Sequence, residues 1–289
     1  MDSALNPAPV DVPRLLRAHG LTPRKGLGQN FLVDSSALRK LVEAAEIPAD
    51  AEVLEIGAGV GSLTVWLAAA ARRVVAVEVD ANLIPLLRQS LSGLSNVTLV
   101  EGDILAVRLS EWLQEEGYLV VANIPYYITS AIIRHLLESR PRPARMVLTM
   151  QREVAERICA APGEMSLLAL SVQVFGQPRP VLSIPAGAFY PPPQVDSVSL
   201  RVDLYPQPLI PADLLNDFFR LAKAGFAQKR KTLRNSLSAG LAIPPAQAAA
   251  LLEAAGIDPQ RRAETLSLAE WERLSRLWAQ QRAEAAGGK

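Results

Sequence analysis

Between residues 36 and 160, apolar runs of strand length alternate with helical patterns, and this alternation restricts the fold more than anything else in the chain. The runs are EVLEIG (52–57), RVVAVEV (73–79), NVTLVEG (96–102), YLVVAN (118–123) and ARMVLTM (144–150). Their β-branched content and flanking turns favour strands over buried helices. Between them GSLTVWLAAAA, ANLIPLLRQSL, a short 109–116 piece and TSAIIRHLLES read as helices. Strand and helix repeated in this order imply a parallel sheet covered on both faces.

LALSVQVFG and SVSLRVDL follow, separated by the proline-rich IPAGAFYPPPQVD, and are expected to close the sheet as an antiparallel pair. LYPQPLIPAD (204–213) marks a boundary. Beyond it the periodicity predicts helices over 212–239, 245–255 and 268–284, with Gly256 as a C-cap. The expected division is an N-terminal basic arm over 1–35, an α/β domain over 36–207 and a small all-α domain over 208–289.

The 289 residues are enough to bury a large core, and no apolar run reaches the roughly 18 residues of a membrane span. The N-terminus lacks the apolar core of a secretory signal, so the reading is a cytoplasmic protein. One cysteine, Cys159, and two histidines, His19 and His135, give no disulfide framework and no Cys/His metal cluster. These three residues read as structural or solvated. Nothing in the sequence asks for more than a monomer. The net charge of +1 conceals a division, with +4 over residues 209–289 and −3 over the rest, which points to a polyanionic partner.

Gly57, Gly59 and Gly61 in LEIGAGVGSLT stand between the first strand and a helix, where glycine permits a tight turn and close approach of a ligand. Ser62 occupies the position at which a dinucleotide fingerprint needs glycine, so the pyrophosphate reading loses an element. Glu78 ends the second strand, where a carboxylate can accept both hydroxyls of a ribose. Asp103 follows the third strand and is placed to meet an adenine amino group, and Asn123 ends the fourth. Strand C-termini converge on one crevice in such a sheet. Together the four positions favour an adenosine-type cofactor without pyrophosphate, and S-adenosylmethionine is the choice.

In VVANIPYYITSA (120–131) an apolar strand breaks into an amide, a proline and two phenols. The exocyclic amine of adenine or cytosine is a poor nucleophile because its lone pair is delocalised into the ring. The Asn123 oxygen and the main-chain carbonyl of Ile124 or Pro125 can each accept one of its N–H groups and aim the lone pair at a methyl donor. Pro125 stiffens the turn, and Tyr126 can stack on the base for about 1–3 kcal/mol. Phe189 in AFYPPPQVDS is expected to face Tyr126 across the base. A methylated ammonium sheds its proton readily, so no side chain of shifted pKa is required.

GLGQNFLVD, LEIGAGVGSLT, VEGDIL, NIPYYITS, FYPPPQVDS, FAQKRKTLRNSL and GIDPQRRAETLS occur in the order and spacing of the ribosomal RNA adenine dimethyltransferases, and the chain resembles that family over nearly its whole length. The resemblance is nearest to the bacterial type that dimethylates two adjacent adenosines near the 3′ end of 16S ribosomal RNA. It implies a Rossmann-like class I methyltransferase sheet with S-adenosylmethionine held by Gln29, Asn30, Leu32, Gly57, Gly59, Glu78, Asp103 and Asn123. It implies that Asn123, Pro125, Tyr126 and Phe189 contact the target base, and that the partner is 16S ribosomal RNA in an immature 30S subunit. Leu27, Tyr127 and the pair Leu167-Leu168 depart from residues common in the family. Its relatives that methylate large-subunit RNA are the enzymatic alternative, and a methyltransferase-fold assembly factor without catalysis is the non-enzymatic one.

Six Lys or Arg and no acid stand between Phe218 and Gly240. On a single helix over 214–237, Arg220, Lys223, Arg230, Lys231 and Arg234 would share one arc beside an apolar face, with Lys229 among them in sequence. This arc, with the basic cluster Arg14, Arg17, Arg24 and Lys25, is the expected phosphate-binding surface.

Overall fold

The computed structural model describes residue 7 and residues 10–287, with side chains to Glu284. The remaining positions of the arm assigned to 1–35 and of the C-terminal tail lie outside the described residues. The chain divides into two compact units. The first comprises the residues up to Ala155 together with Gln177–Leu204, and the second Glu156–Gly176 together with the residues from Tyr205 onward.

Among the described residues nine strands occur in chain order: β1 (Phe31–Leu32), β2 (Glu52–Ile56), β3 (Arg73–Glu78), β4 (Val97–Glu101), β5 (Leu119–Asn123), β6 (Arg145–Gln151), β7 (Gly176–Ile184), β8 (Phe189–Tyr190) and β9 (Ser197–Leu204). Seven of them form one sheet in the order β4-β3-β2-β5-β6-β9-β7. The pairs β4-β3, β3-β2, β2-β5 and β5-β6 are parallel, and β9 runs antiparallel to β6 from Arg145↔Asp203 to Gln151↔Ser197. The five expected parallel strands are therefore present. Their apolar runs are continuous because helices cover the sheet: Val53, Val74, Ala76, Val121 and Val147 are buried in one core with Leu41, Trp66 and Leu67. Each such side chain contributes on the order of 1.5–3 kcal/mol on burial.

The chain order reverses at β2, whose neighbours are β3 and β5. Ligand crevices open at this kind of switch point, outside the carboxyl ends of the strands. Gly57 follows β2, Glu78 ends β3 and Asn123 ends β5, so the topology brings together residues separated by 66 positions.

One closing strand differs from expectation. Of residues 168–176, read as extended, those up to Gln173 belong to the helix Leu167–Gln173, and the edge strand begins only at Gly176. The alternation in LALSVQVF imitates a strand. Ser166, however, caps the segment by accepting from the Ala169 N–H at 3.1 Å, and Ala169, Leu170 and Val172 turn inward as a helical face. Leu167-Leu168 thus form the first turn of a capped helix. The proline-rich loop contributes β8, which pairs antiparallel with β1 through Phe31↔Tyr190 and Leu32↔Phe189 and ties the N-terminal arm to the loop.

In the second unit the single helix expected over 214–237 is two helices, Leu215–Phe226 and Leu233–Leu241. The first amides of the second helix find acceptors elsewhere: Leu233 N–H donates to the Arg261 carbonyl at 2.7 Å and Arg234 N–H to that of Pro259 at 3.3 Å. The GIDPQRRAETLS segment therefore satisfies that terminus, where a continuous helix would have bonded internally. Arg261 also pairs with Glu270 and, with donors from Ser267, holds its carboxyl down to about 2. The helices Pro245–Ala254 and Leu268–Gly287 follow their periodicity, and Gly256 adopts φ +69° after the former.

Candidate active site

One cavity lies in the first unit at the switch point of the sheet. Gly57 and Gly59 line it from the β2 turn, Glu78 from β3, Asn123, Pro125 and Tyr126 from β5 and the turn after it, and Gln29, Asn30 and Leu32 from the arm. Nine of the residues picked out in the sequence are thus brought together.

The glycine turn is fixed by its backbone. Gly57, Gly59 and Gly61 take φ of +75°, +61° and +89°, and a Cβ on Gly59 would stand 2.9 Å from the Phe31 ring. Gly59 N–H donates to Glu78 Oε2 at 2.7 Å, while Glu78 Oε1 accepts from Asp80 N–H at 2.8 Å. Glu78 is buried, and desolvation raises its pKa against the lowering effect of these amides.

At the other wall, Asn123 Nδ2 donates to the main-chain carbonyl of Asn30 at 2.9 Å. One of its two N–H groups is thereby committed, which orients the amide, and Oδ1 is the atom that can accept from a ligand. The Pro125 carbonyl accepts from Ile128 N–H at 3.3 Å. Tyr126 is half-buried; its hydroxyl shares a 2.6 Å hydrogen bond with Ser197, and burial raises its pKa.

Two expected residues lie apart from this lining. Asp103 is exposed after β4, where its carboxylate accepts from Leu105 N–H at 3.0 Å. Phe189, 3% exposed, belongs to the core that includes Leu32, its β1 partner, and is not among the residues that line the cavity with Tyr126. Its burial makes it a support for the arm.

Glu55, which the sequence reading passed over, and Ser62, read there only as a departure from a dinucleotide fingerprint, also line the cavity. Glu55 is 1% exposed, its pKa is raised to about 8 mainly by desolvation, and among the described residues Oε2 has no hydrogen-bond partner, as is true of Ser62 Oγ. An acid flanked by Leu54 and Ile56 inside a doubly covered strand was the available signal, since such a group needs a partner. These unpartnered polar groups fit the polar amino-acid end of an amino-acid nucleoside. With the Glu78 carboxylate and the apolar side chains of Leu63, Val79 and Leu83 in the same lining, the cavity suits S-adenosylmethionine.

In the second unit, Lys223, Lys229 and Arg230 line a separate cleft with Arg157 and Arg262, which the sequence reading did not connect to them. Arg220 lies over the Trp278 ring at 5.8 Å, Lys231 is exposed in the turn between the two helices, and Arg234 is half-buried beside Asn235. The basic side chains therefore do not form the arc of one helix. Among the described residues no helix is long and apolar enough to cross a membrane.

The sheet order, the glycine turn and the strand-end acid define a Rossmann-like class I methyltransferase fold. The family model for ribosomal RNA adenine dimethylase matches residues 20–280, and the chain belongs to that family. It is 46% identical over 262 residues to ribosomal RNA small subunit methyltransferase A of Dehalococcoides mccartyi, covering 90% of both chains. It is 44% identical over 287 residues to the protein of that name from Moorella thermoacetica, covering 96% of this chain and 99% of the other. Among solved structures, a dimethyladenosine transferase from Plasmodium falciparum superposes with TM-score 0.77 at 27% identity, covering 87% of this chain and 98% of that one. The 23S rRNA methyltransferase ErmE superposes with TM-score 0.68 at 29% identity, covering 86% and 99%.

Proposed function

We propose that this protein transfers methyl groups from S-adenosylmethionine to the N6 nitrogens of two adjacent adenosines near the 3′ end of 16S ribosomal RNA, as a step in maturation of the small ribosomal subunit in the cytoplasm. The observation that carries this reading is the orientation of Asn123, whose nitrogen is bound by Asn30 and whose oxygen is left to accept. Bound S-adenosylmethionine supplies an electrophilic methyl carbon on a sulfonium. Glu55 and Ser62 receive the amino-acid end of the donor, Glu78 the ribose, and Asp103, exposed after β4, the adenine. Asn123 Oδ1 and the Ile124 carbonyl accept the two N–H groups of the target amine, which draws its nitrogen toward tetrahedral geometry and directs the lone pair at the methyl carbon. Tyr126, held through its hydroxyl by Ser197, presents its ring to the base.

The basic cleft of the helical unit supports RNA contact through phosphate, which sets register and salt dependence, with the target base selected by its accessibility. The identities of 40% and above to small-subunit enzymes, against 29% to the 23S enzyme, favour the small subunit. The test is methyl transfer to 30S particles lacking the modification beside protein-free 23S RNA, with nucleosides resolved by mass spectrometry. Dimethyladenosine in 16S RNA is expected, and its appearance only in 23S RNA overturns the assignment.

A further inference from the structure

The Asp80 carboxylate lies outside the cavity lining, yet it is 3% exposed and accepts four hydrogen bonds. Two come from its own turn, from the backbone N–H of Asn82 at 3.1 Å and its Nδ2 at 3.0 Å. The other two come from the N-terminal arm, from Gln29 Nε2 at 2.8 Å and Arg24 NH1 at 3.1 Å. Burying a carboxylate is costly, and only such a set of donors offsets it. These donors and the Arg24 charge hold the Asp80 pKa below the usual value although burial opposes them.

The arm has little structure of its own with which to hold a position. From Arg24 to Leu32 it contains one three-residue turn, Lys25–Leu27, and the two residues of β1. Gln29 is spent at both ends, since its Oε1 accepts from Arg24 N–H at 2.8 Å while its nitrogen reaches Asp80. The next residue, Asn30, supplies the carbonyl that orients Asn123. In the other direction, Asp80 N–H donates to Glu78, the ribose acceptor.

We infer that Asp80 is a positioning residue: through Gln29 it fixes the arm, through the arm it fixes the Asn30 carbonyl, and through that carbonyl it turns the Asn123 oxygen toward the target base. Its effect on methyl transfer rests on the function proposed above; its hold on the arm does not.

The test exchanges donor and acceptor. Asp80→Asn sets an amide N–H against that of Gln29, and Gln29→Glu sets carboxylate against carboxylate. In the double variant the amide at position 80 donates to the carboxylate at position 29, which still accepts from Arg24 N–H. Each single variant is expected to raise native-state trypsin cleavage after Arg24 and Lys25 about tenfold, the scale of one charge-assisted hydrogen bond, and to lower kcat for 30S methylation by a similar factor. The double variant restores both to within about threefold of wild type on the same scale. A merely structural role moves the melting temperature without this reciprocal rescue. Wild-type cleavage at positions 24 and 25 in both single variants, or a double variant no better than the worse single one, overturns the inference. Failure of the wild-type protein to bind S-adenosylhomocysteine refutes the cofactor reading and leaves the cleavage pattern to decide the role of Asp80.

Discussion

The side-chain nitrogen of Asn123 donates to the main-chain carbonyl of Asn30, 93 positions earlier in the chain, at 2.9 Å. This single bond joins the end of β5 to the N-terminal arm and decides which face of the amide meets a ligand. Replacing Asn123 with Ala removes the acceptor and empties the Asn30 carbonyl of its donor. The expected loss is about 10²–10³-fold in kcat, the range for deleting one preorganised hydrogen-bonding group at a reacting centre. Single-turnover methylation of 30S particles measures it, and S-adenosylhomocysteine affinity should change far less.

Gly59 is held at φ +61° with the Phe31 ring 2.9 Å from the position of a Cβ. Gly59→Ala imposes left-handed strain and pushes on the residue beside Leu32. A loss of about 1–3 kcal/mol in unfolding free energy is expected, read from urea titration, together with weaker S-adenosylhomocysteine binding in calorimetry.

Glu55 is raised from 4.5 to about 8 by burial. The folded chain then binds a proton that the unfolded chain has released, so this contribution to stability is full below pH 4.5 and is lost as pH rises through about 8. Unfolding free energy of the ligand-free protein should fall across that window by up to about 1.4 kcal/mol per pH unit. Glu55→Gln should flatten the slope, as urea midpoints at pH 5, 6.5 and 8 would show.

Charge reversal at Lys229, Arg230 and Lys231 should weaken binding to 30S particles and reduce the salt slope of log K by roughly 0.7–0.9 for each phosphate no longer neutralised. S-adenosylhomocysteine affinity should stay at the wild-type value. Filter binding over a salt series, beside calorimetry, separates the two effects.

Much of this was legible in the residues alone. The five parallel strands carried their signal in local composition, and Gly57, Glu78 and Asn123 were recognisable because strand ends in such sheets converge. What escaped the sequence was set by partners distant along the chain. The helix at Leu167–Gln173 depends on a cap at Ser166 that an alternating pattern obscured. The break after Phe226 depends on carbonyls at Pro259 and Arg261. The burial of Phe189 through pairing with β1, and the bond from Gln29 in the cavity wall to Asp80, were likewise invisible in the motifs that carry them. Glu55 was readable as an acid in an apolar strand, but only its orphaned oxygen gave that position a chemical meaning.

The most direct measurement is a crystal structure of the protein with S-adenosylhomocysteine and an adenosine-bearing RNA fragment. The account predicts the adenine N6 within about 3 Å of both Asn123 Oδ1 and the Ile124 carbonyl, on a line with the donor sulfur. An Asn123 oxygen turned away from the base, with the amine bound by other groups, would contradict it.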